Sequence, residues 1–285
     1  MSSDKLLSNL KTHLYFLPFV FLLFIWGYHS TFQWIYGRYM SPDSYYSHGF
    51  LIPFVVGYLI WDKRRDLKTA EKFPSMWGFV LIVFAATTHV IGTLLYVFSV
   101  SGFSVFILII GFSLFIFGKD VTRIIWFPLL FLLFMFPAPL ALITMISFPL
   151  KILVANYGVK IVELTGIPIL REGFNIIIPQ GTLLVGNPCS GLRSLVAFLA
   201  LGSLFAYLSD LSVAKKWVLF LLSVPFALLS NLVRVPILIL WSYKYGLAAA
   251  APDTLVHTGS GFVVFLLGIF LLYCAMYCLG GASEA

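Results

Sequence analysis

Apolar positions along this chain do not recur at short intervals. They run on in long blocks. A helix needs ~20 apolar residues to cross ~30 Å of hydrocarbon. Eight blocks are candidates for that role, at about 14–37, 45–61, 75–98, 100–117, 124–147, 190–209, 217–241 and 257–279. The second is short. The first follows Lys5 and Lys11, but it is long and has no small-residue cleavage site, so it reads as a retained helix rather than a removed leader. The expected fold is an all-α polytopic membrane protein with about eight transmembrane helices.

One stretch departs from the pattern. From about 149 to 188 polar residues return. Lys151, Asn156, Lys160 and Glu163 fall at near-helical spacing within Leu150 to Leu164. That spacing predicts a small amphipathic helix along the interface. Short β-branched runs then alternate with Glu172-Gly173 and Pro179-Gln180-Gly181, which predicts a β-ribbon. Both belong to one extracytoplasmic insertion in a single integral membrane domain spanning 1–285. No internal repeat or low-complexity linker divides the chain. Its end soon after the last span leads us to expect no appended soluble domain.

Composition narrows the class. Hydrophobic residues make up 61% and charged residues 10% of the chain. An ordinary globular protein carries ~25% charged residues. Too few charges remain to clothe a water-soluble surface, so a soluble enzyme, a disordered chain and a disulfide scaffold are excluded. The 3 cysteines, an odd number, also argue against a disulfide framework.

The net charge of +7 has a topological reading. With the N-terminus inside, the inner segments hold Lys5, Lys11, Lys63, Arg64, Arg65, Lys68, Lys72, Lys119, Arg123, Lys215 and Lys216. The outer segments hold Arg38, Lys151, Lys160, Arg171 and Lys244. The positive-inside bias therefore places both termini in the cytoplasm. No basic run interleaved with aromatics forms a nucleic-acid groove, so the expected surroundings are membrane lipid and not nucleic acid.

Polar chemistry inside the spans is sparse. No Asp or Glu lies mid-span, which disfavours ion-coupled transport, proton relays and an aspartyl protease. There is no HExxH, no G-x-S-x-G and no P-loop. No metal or cofactor is expected. Three exceptions share a depth. As helix, Cys189 to Asp210, Lys216 to Arg234 and His257 to Cys278 each rise ~27–32 Å. Each side chain then sits at the outer edge of the core. In Asn187-Pro188-Cys189-Ser190-Gly191, Asn187 suits an N-cap and Pro188 the first helical position. The positive helix end and a nearby arginine both favour a thiolate at Cys189.

Each residue also has a plain structural reading. A buried cysteine packs, Arg234 snorkels to the interface, and His257 caps the last helix. Cys274 and Cys278 read as lipid-facing or packing residues, and His13, His29 and His89 show no evident partner. His48, in Ser47-His48-Gly49, lies on the outer side and is a possible supporting residue. Arg193 is either a second cation at the site or a lipid-headgroup ligand.

Taken together, Cys189-Ser190-Gly191-Leu192-Arg193-Ser194, Asn231-Leu232-Val233-Arg234-Val235 and His257 followed by Gly261 resemble the exosortase/archaeosortase family. The segment Ser47 to Pro53 is similar to that family's N-terminal region. The resemblance covers about 40 to 275. It implies a membrane cysteine peptidase or transpeptidase of the bacterial exosortase type. Cys189 matches the nucleophile, Arg234 the essential arginine and His257 the third member, where some relatives carry Arg. Asn187, Ser190, Arg193, Asn231 and His48 are possible supporting residues.

The implied substrates are exported proteins ending in a short motif (Pro-Glu-Pro in the PEP-CTERM type), a transmembrane helix and a basic tail. They are cut through a thioacyl intermediate at the extracytoplasmic face of the cytoplasmic (inner) membrane. The ribbon is expected to pair with an extended motif by strand addition. Two other readings stay open: a non-enzymatic membrane component of exopolysaccharide export or assembly, and a transporter of neutral solutes.

Overall fold

Helices carry the architecture, and hydropathy places them while backbone constraints set many of their lengths. The computed structural model describes residues 18–41, 44–184, 192–252 and 254–280. Among them, 5 segments are long and apolar enough to cross a membrane: Met76–Leu94, Phe98–Ile124, Leu140–Glu163, Val213–Tyr245 and Leu247–Cys278, the last with its α-helix at Leu255–Cys278. Shorter apolar helices occupy Pro18–Gly27, Trp126–Met135 and Leu192–Leu208. The chain is an all-α multi-pass membrane protein with one small sheet.

In chain order, α1 (Pro18–Gly27) and α2 (His29–Met40) meet at a break at Tyr28. A 3₁₀ turn (Ser47–Phe50) leads into α3 (Ile52–Asp62) and the short basic α4 (Arg64–Thr69). The block expected at 45–61 is thus a turn and an 11-residue helix, with Pro53 at its start.

The hairpin α5 (Met76–Leu94) and α6 (Phe98–Ile124) packs through small residues. A Cβ on Gly78 would lie 2.3 Å from the Phe115 nitrogen, and one on Gly111 would lie 3.0 Å from the Ile82 nitrogen. Close backbone approach of this kind is how apolar helices gain contact where no hydrophobic driving force exists. At Gly118 (φ +84°) α6 kinks, and its last turn follows.

The fifth apolar block does not form one helix. It divides into α7 (Trp126–Phe131), a 3₁₀ turn (Leu132–Met135), a break, and α8 (Leu140–Glu163). Pro137 and Pro139 stand in the break. Proline lacks the donor a helix needs and bars the residue before it from helical angles. The expected amphipathic helix at 150–164 is therefore the second half of a 24-residue α8. Its buried stripe is Val154, Ala155, Gly158, Val159 and Val162, at the spacing one helix face requires.

The ribbon is a three-stranded antiparallel sheet, β1 (Leu170–Glu172), β2 (Asn175–Ile178) and β3 (Gly181–Leu184), in that order. Ile176 pairs with Arg171 on one side and Leu183 on the other. Ile176 and Ile178 bury against the α8 stripe and against Val235, Leu238 and Ile239 of α10 (Val213–Tyr245). α9 (Leu192–Leu208), α10 and α11 (Leu255–Cys278) form a separate bundle around Phe198, Leu219 and Leu272. Glycines set its spacing. A Cβ on Gly202 would lie 2.9 Å from the Ser223 Cβ, and one on Gly268 would lie 2.1 Å from the Phe198 ring.

Candidate active site

α10 has 33 residues. From Val213 to Arg234 it rises ~31 Å, which matches a ~30 Å hydrocarbon core. From Cys278 back to His257 α11 rises by the same ~31 Å. The two side chains are therefore level at the end of the bundle that carries the sheet, and there they meet. Arg234 Nη2 donates to the His257 carbonyl oxygen at 2.9 Å. The Ser260 hydroxyl donates to that same oxygen at 3.0 Å.

His257 is held at three points. The Thr254 hydroxyl caps α11 by accepting from the His257 backbone N–H at 3.2 Å. Its carbonyl takes the bonds just described. Its ring Nδ1 lies 3.3 Å from the Ala250 carbonyl oxygen. A carbonyl only accepts, so this contact assigns the proton to Nδ1 and leaves Nε2 as the lone-pair nitrogen of the neutral ring. His257 is 9% exposed. Ala250 ends a 3₁₀ turn, Leu247–Ala250, which returns the chain from α10 to α11.

Asn231 lies on α10 one turn before Arg234 and is 1% exposed. At i, i+3 the two share a helix face. Cys189, Asn187 and Ser190 lie outside the described residues. The described part of α9 starts three residues beyond Cys189, at Leu192. Its Arg193 Nε donates to the Ser44 carbonyl oxygen, tying the first turn of α9 to the segment before the Ser47–Phe50 turn.

That segment is well anchored. The Tyr46 N–H donates to Ser44 Oγ at 3.0 Å, and the Ala138 N–H donates to Tyr46 Oη at 3.2 Å. Tyr39 Oη donates to the Met135 carbonyl. The His48 ring stacks on Tyr46 with centroids 6.0 Å apart and hydrogen-bonds the Phe134 backbone. Its Nε2 is buried with no hydrogen-bond partner. The structure thus brings Arg234 and His257 into contact, and ties Arg193 to the segment leading to His48.

Hydropathy reading overlooked several of these supports. Thr254, Ala250, Ser44 and Tyr46 carry no motif of their own. Thr254 alone gives a signal, as an N-cap residue just before an apolar run. Among the described residues no group of three His, Cys, Asp or Glu side chains converges to hold a metal.

His89 corrects an expectation. Its Nδ1 pairs with Ser101 Oγ at 2.7 Å and its Nε2 with the Gly27 carbonyl at 3.1 Å. Ser101 also bonds Thr31 at 2.6 Å, and Ser104 bonds Tyr28 at 2.9 Å. These groups form a polar clasp joining α1 and α2 to the α5–α6 hairpin.

A family model described as a transmembrane exosortase matches residues 34–274. No curated protein and no solved structure shows a significant match to the chain.

Proposed function

The chain belongs to the transmembrane exosortase family, and on that premise we propose that it is a membrane-embedded cysteine peptidase or transpeptidase. Its substrates are exported proteins whose C-terminal sorting signal is a short motif, a transmembrane helix and a basic tail. One observation carries the reading: a guanidinium from α10 bonded to the backbone of His257, whose ring is aligned by its own Nδ1 contact. Both lie at the depth where the sequence places Cys189.

The chemistry follows from these groups. His257 Nε2 accepts the Cys189 thiol proton. The thiolate attacks the scissile carbonyl carbon, and an S–C bond forms while the oxygen takes negative charge. Arg234 stabilises that charge or the thiolate before it. The C–N bond then breaks, and the leaving amine takes the proton held on Nε2. A thioester remains on Cys189. An acceptor amine or water attacks it, gives its proton to Nε2, and releases the thiolate. Arg193 and Asn231 position this set, and His48 supports it from the neighbouring turn.

The same reading places the protein in the cytoplasmic membrane, with both termini inside and the site at the outer face. A substrate helix lies beside α9–α11 and keeps its basic tail in the cytoplasm. The deciding experiment is Cys189→Ala, read by the size of a candidate sorted protein. Loss of C-terminal processing is the expected result. Processing at the normal rate overturns the catalytic assignment and returns the non-enzymatic export reading.

A further inference from the structure

We infer that Gly261 is a positioning residue for Arg234: its missing side chain is the space in which the guanidinium lies on α11. The inference rests on the function proposed above and refines its site.

Residues i and i+4 share a helix face, so Gly261 lies one turn beyond His257 on the side that Arg234 approaches. In an α-helix the 261 N–H also bonds the 257 carbonyl. A side chain that reaches that carbonyl from α10 must therefore pass over position 261. The distances agree. A Cβ on Gly261 would stand 3.2 Å from Arg234 Cζ, 3.2 Å from Nη2 and 3.5 Å from Nε. Nη2 is the atom that donates to His257 at 2.9 Å.

A methyl group at 261 would crowd the flat guanidinium at Cζ and Nη2, with Nε at ordinary contact distance. The guanidinium would have to move by a few tenths of an ångström, and its bond to His257 would lengthen with it. Gly259 sits on the same helix, half a turn away, with nothing within 4 Å of its would-be Cβ. Gly259→Ala therefore carries the same gain in helix propensity and none of the collision.

The consequence is read at Cys189. The test uses the full chain in lipid nanodiscs with Cys274 and Cys278 replaced by Ser, so that iodoacetamide reports Cys189 alone. The rate of alkylation is followed against pH in Gly261→Ala, Gly259→Ala, Arg234→Lys and the Gly261→Ala/Arg234→Lys double variant. If Gly261 acts through the guanidinium, Gly261→Ala slows alkylation at neutral pH by about tenfold, the factor of one pKa unit. It also moves the profile to higher pH. Gly259→Ala leaves both unchanged. In the Arg234→Lys background, Gly261→Ala adds less than about a twofold change, because coupled residues are not additive.

An equal effect of Gly261→Ala in both backgrounds overturns the inference, and so does no effect in the parent. If Gly261→Ala fails to fold, a folded double variant identifies the collision with Arg234 as the cause. A double variant that also fails to fold overturns the inference. The underlying function fails differently. There Cys189 in the parent titrates as an ordinary thiol and Arg234→Lys changes nothing, which removes the site and the inference with it.

Discussion

Arg234 spends one of its guanidinium nitrogens on a backbone carbonyl, and that contact makes its chemistry specific. A lysine carries the same charge as a flexible point and lacks the planar fork. Arg234→Lys should therefore lower kcat/KM for sorting-signal cleavage by about 10²–10³, the range for loss of one preorganised donor to a developing oxyanion. Membrane insertion should be unaffected. Activity within about threefold of the parent would reduce Arg234 to a bulk charge. His257 carries the converse constraint, since its Nδ1 bond to Ala250 fixes which nitrogen carries the proton. His257→Gln has a donor but no base, so thioester formation should fail while Cys189 can still be alkylated. At this scale the sequence disclosed depth and nothing about tethering. Counting rises from helix ends brings Arg234 level with His257. The Ala250 and Thr254 contacts arise from a 3₁₀ turn and a cap that hydropathy does not record.

Elements follow hydropathy until a backbone constraint interrupts. Residues 124–147 carry no charge and only Thr144 and Ser147 as polar side chains, so a window average sees one span. Pro137 and Pro139 divide it because apolarity says nothing about N–H donors. The α5–α6 pair was legible as two spans, at 75–98 and 100–117, although the chain turns a few residues earlier, between Leu94 and Phe98. Its kink was not. Gly118 has φ +84°, and a Cβ there would lie 2.1 Å from the Phe73 carbonyl oxygen. Gly118→Ala should destabilise the detergent-solubilised protein by about 2–4 kcal/mol, combining the left-handed penalty with overpacking. Thermal unfolding would register it, and an unchanged Tm would contradict the kink. The polar clasp is a milder case. Interhelical hydrogen bonds in membranes average ~0.6 kcal/mol. His89→Leu removes two of them. It should cost about 1 kcal/mol in the same measurement while leaving Cys189 reactivity intact. Loss of that reactivity would tie the clasp to the site. Hydropathy passed over the clasp because Tyr28 and Thr31 at α2, His89 on α5 and Ser101 and Ser104 on α6 are isolated polar residues within apolar runs.

At the scale of the molecule, α10 is the ruler. Its 33 residues span ~50 Å, about 20 Å more than the hydrocarbon needs. The excess lies beyond Arg234, where Val235, Leu238 and Ile239 bury against α8 and β2. A cap built from the second half of α8, the sheet and the overhang of α10 thus stands over the end that holds Arg234 and His257. This explains why the polar stretch after 149 sits where it does in the chain. It supplies the cover for a helix too long for its membrane. The arrangement predicts the two ends of α10 in intact cells. In a variant with Cys189, Cys274 and Cys278 replaced by Ser, a cysteine introduced by Lys244→Cys should react with a membrane-impermeant maleimide added outside. One introduced by Lys216→Cys should react only after permeabilisation. The reverse pattern would put Arg234 and His257 at the cytoplasmic face, and cleavage of already exported proteins would then be impossible at this site. Equal labelling of both would mean that α10 does not cross the membrane, and the depth shared by Arg234 and His257 would lose its meaning. The expected asymmetry follows from charge as well as length, because Lys215 and Lys216 lie at the one end and the cap at the other.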